Sequence, residues 1–140
     1  MRVLIGVLVL ALTGSAAAQE GARVEQLAGL LHAEDRRIYE PALFEAGFRS
    51  PDPVVRRQAV LGAGRIQDHR ATPSLLALLD LPDTTVHETA MFALGLLTDS
   101  SAVDRIIQRL ADPMPLAAGA VIEAPSTLAK LGTGTARTLF

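Results

Sequence analysis

The sequence predicts an all-α protein, an α-solenoid of about three to four stacked antiparallel helix pairs, and three observations carry that expectation. The first is an internal repeat. Asp52 to Asp68 returns as Asp83 to Asp99, thirty-one positions on, with Asp52/Asp83, Val55/Val86, Ala59/Ala90, Gly64/Gly95 and Asp68/Asp99 identical. Val60/Met91, Leu61/Phe92, Ala63/Leu94 and Ile66/Leu97 keep apolar character at the same offset. The second observation is that the stretch between the copies obeys the offset too, through Ala71/Ala102, Leu75/Ile106, Leu76/Ile107, Leu79/Leu110 and Pro82/Pro113. Each unit is therefore a pair of helices, the signature of a stacked helical array. The third is composition: 49% hydrophobic residues with only 4% aromatic suit close packing of Ala, Leu and Gly between helices better than a sheet. A chain of 140 residues has room for one domain with a continuous core.

Residues 1–18 read as a secretory signal peptide. Arg2 supplies the positive start, Val3 to Leu12 is apolar apart from Gly6, and Ser15-Ala16-Ala17-Ala18 offers an Ala-x-Ala cleavage pattern that would leave Gln19 first. The apolar run is shorter than the roughly 20 residues that cross a bilayer. The absence of cysteine fits an exported chain and excludes a lipid-modified N-terminal cysteine. The expected location is the periplasm or the extracellular space, with no membrane attachment once the leader is removed.

Residues 19–34 are expected to form an N-terminal capping helix, because Val24, Leu27, Ala28, Leu30 and Leu31 share one helical face. His32-Ala33-Glu34-Asp35 interrupts the apolar pattern as a polar link, and the repeat domain follows over residues 35–140. Its units are about 35–68, 69–99 and 100–134, with an incomplete unit at 135–140. In the first unit Ile38, Tyr39, Ala42, Leu43, Phe44 and Phe48 resume the apolar spacing, Pro41 sits near the helix start, and Gly47 with Ser50-Pro51 ends it.

The central helix should run from Pro53 to Ile66, with Asp52 as its cap and Val55, Ala59, Gly62, Ala63 and Ile66 on the core stripe. Asp83 with Thr84 opens the copy in the same way. Gly62 and Gly64 each cost a helix about 1 kcal/mol against alanine, so they are expected where neighbouring backbones approach closely.

A unit reading Asp-Pro, a Val-Arg step, then Ala, small residues around Gly and a closing Asp resembles the short HEAT repeats often called PBS-lyase HEAT-like repeats. The resemblance covers Asp35 to the C-terminus and implies a right-handed stack of antiparallel helix pairs used for protein binding or scaffolding, without lyase chemistry. It further implies that Arg56, with Arg57 and Asp68 in the matching arrangement, pairs with acidic groups between units. His87 stands at the position of Arg56 in the next copy, so such a ladder is interrupted there.

The resemblance also implies that second helices line the inner curve. Leu61 and Phe92 would then lie side by side on the concave wall, with Val60 and Met91 next to them and Arg57 and Glu88 on the same side. Two readings of this ledge are open: a binding surface for a peptide or partner helix, or packing against adjacent units.

The remaining chemistry is sparse. His32, His69 and His87 share no i, i+4 spacing, so no metal site is expected, and no cofactor site either. No Gly-x-Ser-x-Gly elbow is present and no thiol exists, so catalysis is not expected. Gly132-Thr133-Gly134-Thr135 lacks the Lys-Ser/Thr ending of a phosphate loop and reads as an inter-unit turn. Arg36, Arg37, Arg49, Arg56, Arg57, Arg65 and Arg70 are interleaved with Glu34, Asp35, Glu40, Glu45, Asp52 and Asp68. That mixture, with a formal net charge of −2, describes a salt-bridged outer face and not a nucleic-acid surface.

The C-terminal unit shifts register. Ala59, Gly64, Ile66 and Leu75 find matches in Ala124, Ala129, Leu131 and Phe140 at an offset of sixty-five, three more than two periods. Pro125 falls inside the expected helix and should kink or split it near Val121 to Ala124. Phe140 matches an early residue of a first helix, so a further unit or domain is expected beyond it. The function expected is a non-catalytic protein-binding and scaffolding module with a protein or peptide partner. The alternative is the N-terminal repeat region of a larger exported enzyme such as a cyclophilin-type peptidyl-prolyl isomerase.

Overall fold

In the computed structural model the backbone is described for residues 2–137 and the side chains for residues 15–132. Seven α-helices are found there, with no strand among the described residues: α1 Arg2–Asp35, α2 Pro41–Phe48, α3 Pro53–Ile66, α4 Thr72–Leu78, α5 His87–Leu97, α6 Val103–Ala111 and α7 Ala118–Arg137. The chain is an all-α solenoid. Helices α2, α4 and α6 form one layer, and α1, α3, α5 and α7 stand side by side in the other. Each helix of the first layer packs on the helix that follows it, α2 on α3, α4 on α5 and α6 on α7.

Aspartates set the corners. The Asp52 carboxylate accepts from the amides of Val54 at 2.7 Å and Val55 at 3.3 Å, and Pro53 follows at the first helical position, where no N–H is needed. Asp83 accepts from the Thr85 amide at 3.0 Å, but here a 3₁₀ turn, Thr84–Val86, leads into α5. Asp68 and Asp99 cap the 3₁₀ turns His69–Ala71 and Ser100–Ala102 that precede α4 and α6. Immediately before them Gln67 and Thr98 take left-handed conformations, with φ of 60° and 57°. A turn of that hand ends α3 and α5 and aims the chain back along the stack.

The core stripe of α3 is buried as the 3.6-residue spacing requires, with Val55, Ala59 and Ala63 fully covered and Ile66 6% exposed. Ala59, Ala90 and Ala124 hold equivalent buried positions in α3, α5 and α7, so the three-residue shift of the last unit is absorbed before α7 begins. At the first unit Tyr39, Phe44 and Phe48 make the aromatic cluster of the core, with ring centroids 5.0 and 6.3 Å apart.

The structure corrects three expectations. Helix α1 is one continuous element that includes His32 to Asp35, so the polar link there is its last turn. Ala33 is buried in that turn and Glu34 reaches α3, which is why the segment stays helical. Helix α7 is not split at Pro125 but runs unbroken through it to Arg137. Pro125 and Val121 are both exposed, so the helical bond that Pro125 cannot make lies on the solvent side of α7. Gly132 to Thr135 belong to the same helix and do not form a turn, and α7 enters the segment assigned to an incomplete unit. Leu131, fully buried, anchors this part of the helix against the stack. Phe140 lies outside the described residues. Among the described residues no helix is long and apolar enough to cross a membrane.

Candidate functional site

The side-by-side register of α3 and α5 places equivalent repeat positions next to each other. Arg57 and Leu61 from α3 meet Glu88, Thr89 and Phe92 from α5, and Arg65 and Glu123 close the ends of the same depression, which encloses about 290 Å³. Leu61 is half-buried and Phe92 is 37% exposed, so both offer apolar surface to the groove. Of the six residues expected on this ledge, the structure brings Arg57, Leu61, Glu88 and Phe92 together. Val60 and Met91 are different: both are fully buried and lie in the core. A helix of the second layer buries two faces, one on its own unit and one on the next, and these two residues sit within that packing. The carbonyl of Met91 even accepts a hydrogen bond from the buried Thr127 hydroxyl of α7, at 3.0 Å.

Charge pairing divides the groove. Arg65 is held by Glu34, Nη1 to Oε1 at 2.9 Å, while the other oxygen of Glu34 accepts from Gln58 at 2.8 Å. Glu123 pairs with Lys130 at 3.6 Å, and the Lys130 ammonium lies 5.4 Å from the centre of the Phe92 ring. The side chains of Arg57 and Glu88, by contrast, make no hydrogen bond or ion pair within the described residues. Glu88 lies over the first turn of α7, where Gly119 leaves it space that a Cβ would fill. A carboxylate near a helix start is electrostatically favoured there.

Along the outer edge, Arg56 reaches Asp83 of the next unit at 3.5 Å, a contact of the kind its position implied. One unit on, His87 is fully buried and replaces the ion pair with two hydrogen bonds. Its Nε2 lies 2.9 Å from the Leu81 carbonyl, and its Nδ1 accepts from the Ala117 amide at 3.3 Å. The neutral tautomer protonated on Nε2 satisfies both. His87 therefore ties the α4–α5 loop to the entry of α7. His32 is exposed and His69 lies 3.9 Å from Asp99, and among the described residues no group of three His, Asp or Glu is placed to hold a metal.

Sequence reasoning missed Arg109. Its side chain is 2% exposed, and it donates to the carbonyls of Leu79 at 2.8 Å, Met114 at 2.9 Å and Pro115 at 3.4 Å, with Asp80 at 3.5 Å. It pins the loop that carries the inserted residues. Nothing in a repeat pattern signals this, because its equivalent one unit earlier is the apolar Leu78.

A larger hollow of about 530 Å³ lies between α1 and the Ser50 to Asp52 corner. Its walls are Gln19, Glu20, Arg23, Gln26 and small residues, with no large apolar side chain to hold a ligand. The α3–α5 groove combines the apolar side chains of Leu61 and Phe92 with charged side chains that have no partner among the described residues, and it is the candidate site. Neither the curated proteins nor the solved structures searched gave a match. A family model for HEAT repeats matches residues 40–126, more than half of the chain, and the protein belongs to the HEAT-repeat family.

Proposed function

We propose that this chain is a non-catalytic binding and scaffolding module of an exported protein, and that its partner, a protein or peptide, docks in the groove between α3 and α5. HEAT repeats form helical modules often used for protein interaction. The observation that carries the assignment to this groove is the meeting of half-buried Leu61 and exposed Phe92 with Arg57 and Glu88, whose side chains have no partner among the described residues. A pull-down comparing the native protein with Leu61→Asp plus Phe92→Asp tests it, with circular dichroism to establish that the variant is folded. Loss of specific partners supports the reading, and equal recovery by a folded variant refutes it. Export rests on the pattern of residues 2–18. Mass spectrometry of protein recovered outside the cytoplasm should find Gln19 as its first residue, whereas an uncleaved chain confined to the cytoplasm would remove that part of the proposal.

A further inference from the structure

We infer that the groove selects a linear peptide segment in which one apolar side chain is flanked by an acidic residue on one side and a basic residue on the other. The inference rests on the groove reading above and adds the chemistry of the occupant. Size comes first. A depression of about 290 Å³ is at the lower limit of small-molecule sites, which run from about 300 to 1,000 Å³, so it suits a single anchoring side chain of a longer segment. Leu61 and Phe92 supply the apolar contact for that anchor.

Charge then fixes what flanks the anchor. Of the four charged residues at the groove, Arg65 is neutralised by Glu34 at 2.9 Å and Glu123 by Lys130 at 3.6 Å. The side chains of Arg57 and Glu88 have no hydrogen-bond or ion-pair partner among the described residues; they lie one on α3 and one on α5, at equivalent repeat positions and of opposite sign, Glu88 resting over the start of α7. An occupant lying across the two helices meets a guanidinium on one side and a carboxylate on the other. Packed helices are about 8–10 Å apart, the reach of about three extended residues, so an acid and a base three positions apart can meet both at once. A segment with like charges would satisfy one rim residue and be repelled by the other.

Four capped synthetic peptides test this in ¹H–¹⁵N titrations of the full chain, which register weak binding: Gly-Asp-Leu-Ala-Lys-Gly, its diacidic and dibasic counterparts, and a neutral Gly-Ser-Leu-Ala-Ser-Gly. The native protein should bind the mixed-charge peptide about three- to fivefold more tightly than the other three, in line with exposed ion pairs. Added salt should narrow that difference. Arg57→Glu should transfer the preference to the dibasic peptide and Glu88→Arg to the diacidic one. Both residues are exposed and outside the core, and circular dichroism establishes that the variants are folded, Glu88→Arg above all because it places a cation at the start of α7. Binding that ignores charge but is abolished by Leu61→Asp plus Phe92→Asp would overturn this inference while leaving the groove as the binding site. Failure of every peptide to bind would overturn the inference, while the pull-down with Leu61→Asp plus Phe92→Asp decides separately whether the groove is the docking site.

Discussion

Gly64 of α3 lies so close to Ala93 of α5 that a methyl group on its Cα would stand 2.7 Å from the Ala93 carbonyl oxygen and 2.8 Å from its Cα. The obstacle is backbone, which cannot swing aside. The same repeat position in α5 is Gly95, where an added methyl group would stand 3.1 Å from the Thr127 hydroxyl of α7 and 3.4 Å from its Cα, so the glycine marks where one unit rests on the next. Gly64→Ala should destabilise the fold by about 1–3 kcal/mol despite alanine's better helix propensity. Gly132, exposed in α7 with nothing within 4 Å of a Cβ, provides the opposite case. Gly132→Ala should stabilise by about 0.5–1 kcal/mol. Urea unfolding of both variants reads the difference, and a neutral Gly64→Ala would refute the close-approach argument.

The Asp99 carboxylate carries an acid-sensitive link between the start of α4 and the corner that precedes α6. Burial alone would raise its pKa, but hydrogen bonds from the Thr72 hydroxyl at 2.5 Å and from Ser101, with His69 nearby, hold it below the ordinary value of 3.8. A carboxyl lowered on folding contributes stability above its unfolded pKa and loses it as pH falls through the folded one. Asp99→Ala should cost about 1–2 kcal/mol at neutral pH, through the lost cap and the lost Thr72 bond. The gap between variant and native protein should close below about pH 3.8. Urea midpoints measured across that range test it, and a gap independent of pH would contradict the assignment.

How much of this was legible in the sequence depends on whether a residue's role is set by the repeat or by a neighbour from outside it. The bounds of α3, its Asp52 cap and the burial of Ala59 and Ala90 follow from helical periodicity and the thirty-one-residue offset alone. The meeting of Leu61 with Phe92 needs more than the offset: it is an expectation of the family resemblance, in which equivalent second helices stand side by side. For Val60 and Met91 both readings of the ledge stay open in the sequence, since an offset shows which positions are equivalent but not which of two faces a neighbouring unit covers, and the structure buries them. Gly132 and Gly134 read as turn residues, yet a helix anchored by Leu131 overrides their propensity. The roles of Arg109 and His87 lie in carbonyls and an amide of residues 79–81 and 114–117, and backbone partners leave no side-chain signature.

His87→Leu should expose what that buried pair of hydrogen bonds does. Leucine has comparable bulk, but it leaves the Leu81 carbonyl and the Ala117 amide without the ring. Unpaired groups of this kind cost about 1–3 kcal/mol. The loss should be local as well as global, with faster hydrogen exchange at the Ala117 amide and at the start of α7. Unchanged exchange there would show that the ring is not what holds the α7 entry.

The order of the stack predicts how damage spreads. Each unit touches only its neighbours, so stability is the sum of unit and interface contributions, and an end can open without its centre. Ala59 is fully buried in α3 and packs against Gly47 of α2, where a Cβ would lie 2.5 Å from its own. Ala59→Glu would force a longer side chain and an unpaired charge into that contact, at a cost of several kcal/mol against a total domain stability of about 5–15 kcal/mol. Protection from hydrogen exchange should then be lost across α3 and α5 together. Leu131, equally buried, lies in the last helix, which has a neighbour on one side only among the described residues. Leu131→Ala removes about 2–5 kcal/mol of packing, but it should open α7 while α3 stays protected. A Leu131→Ala variant that lost protection throughout α3 and α5, beside an Ala59→Glu variant that kept it, would mean that the array unfolds as one unit and not through nearest neighbours.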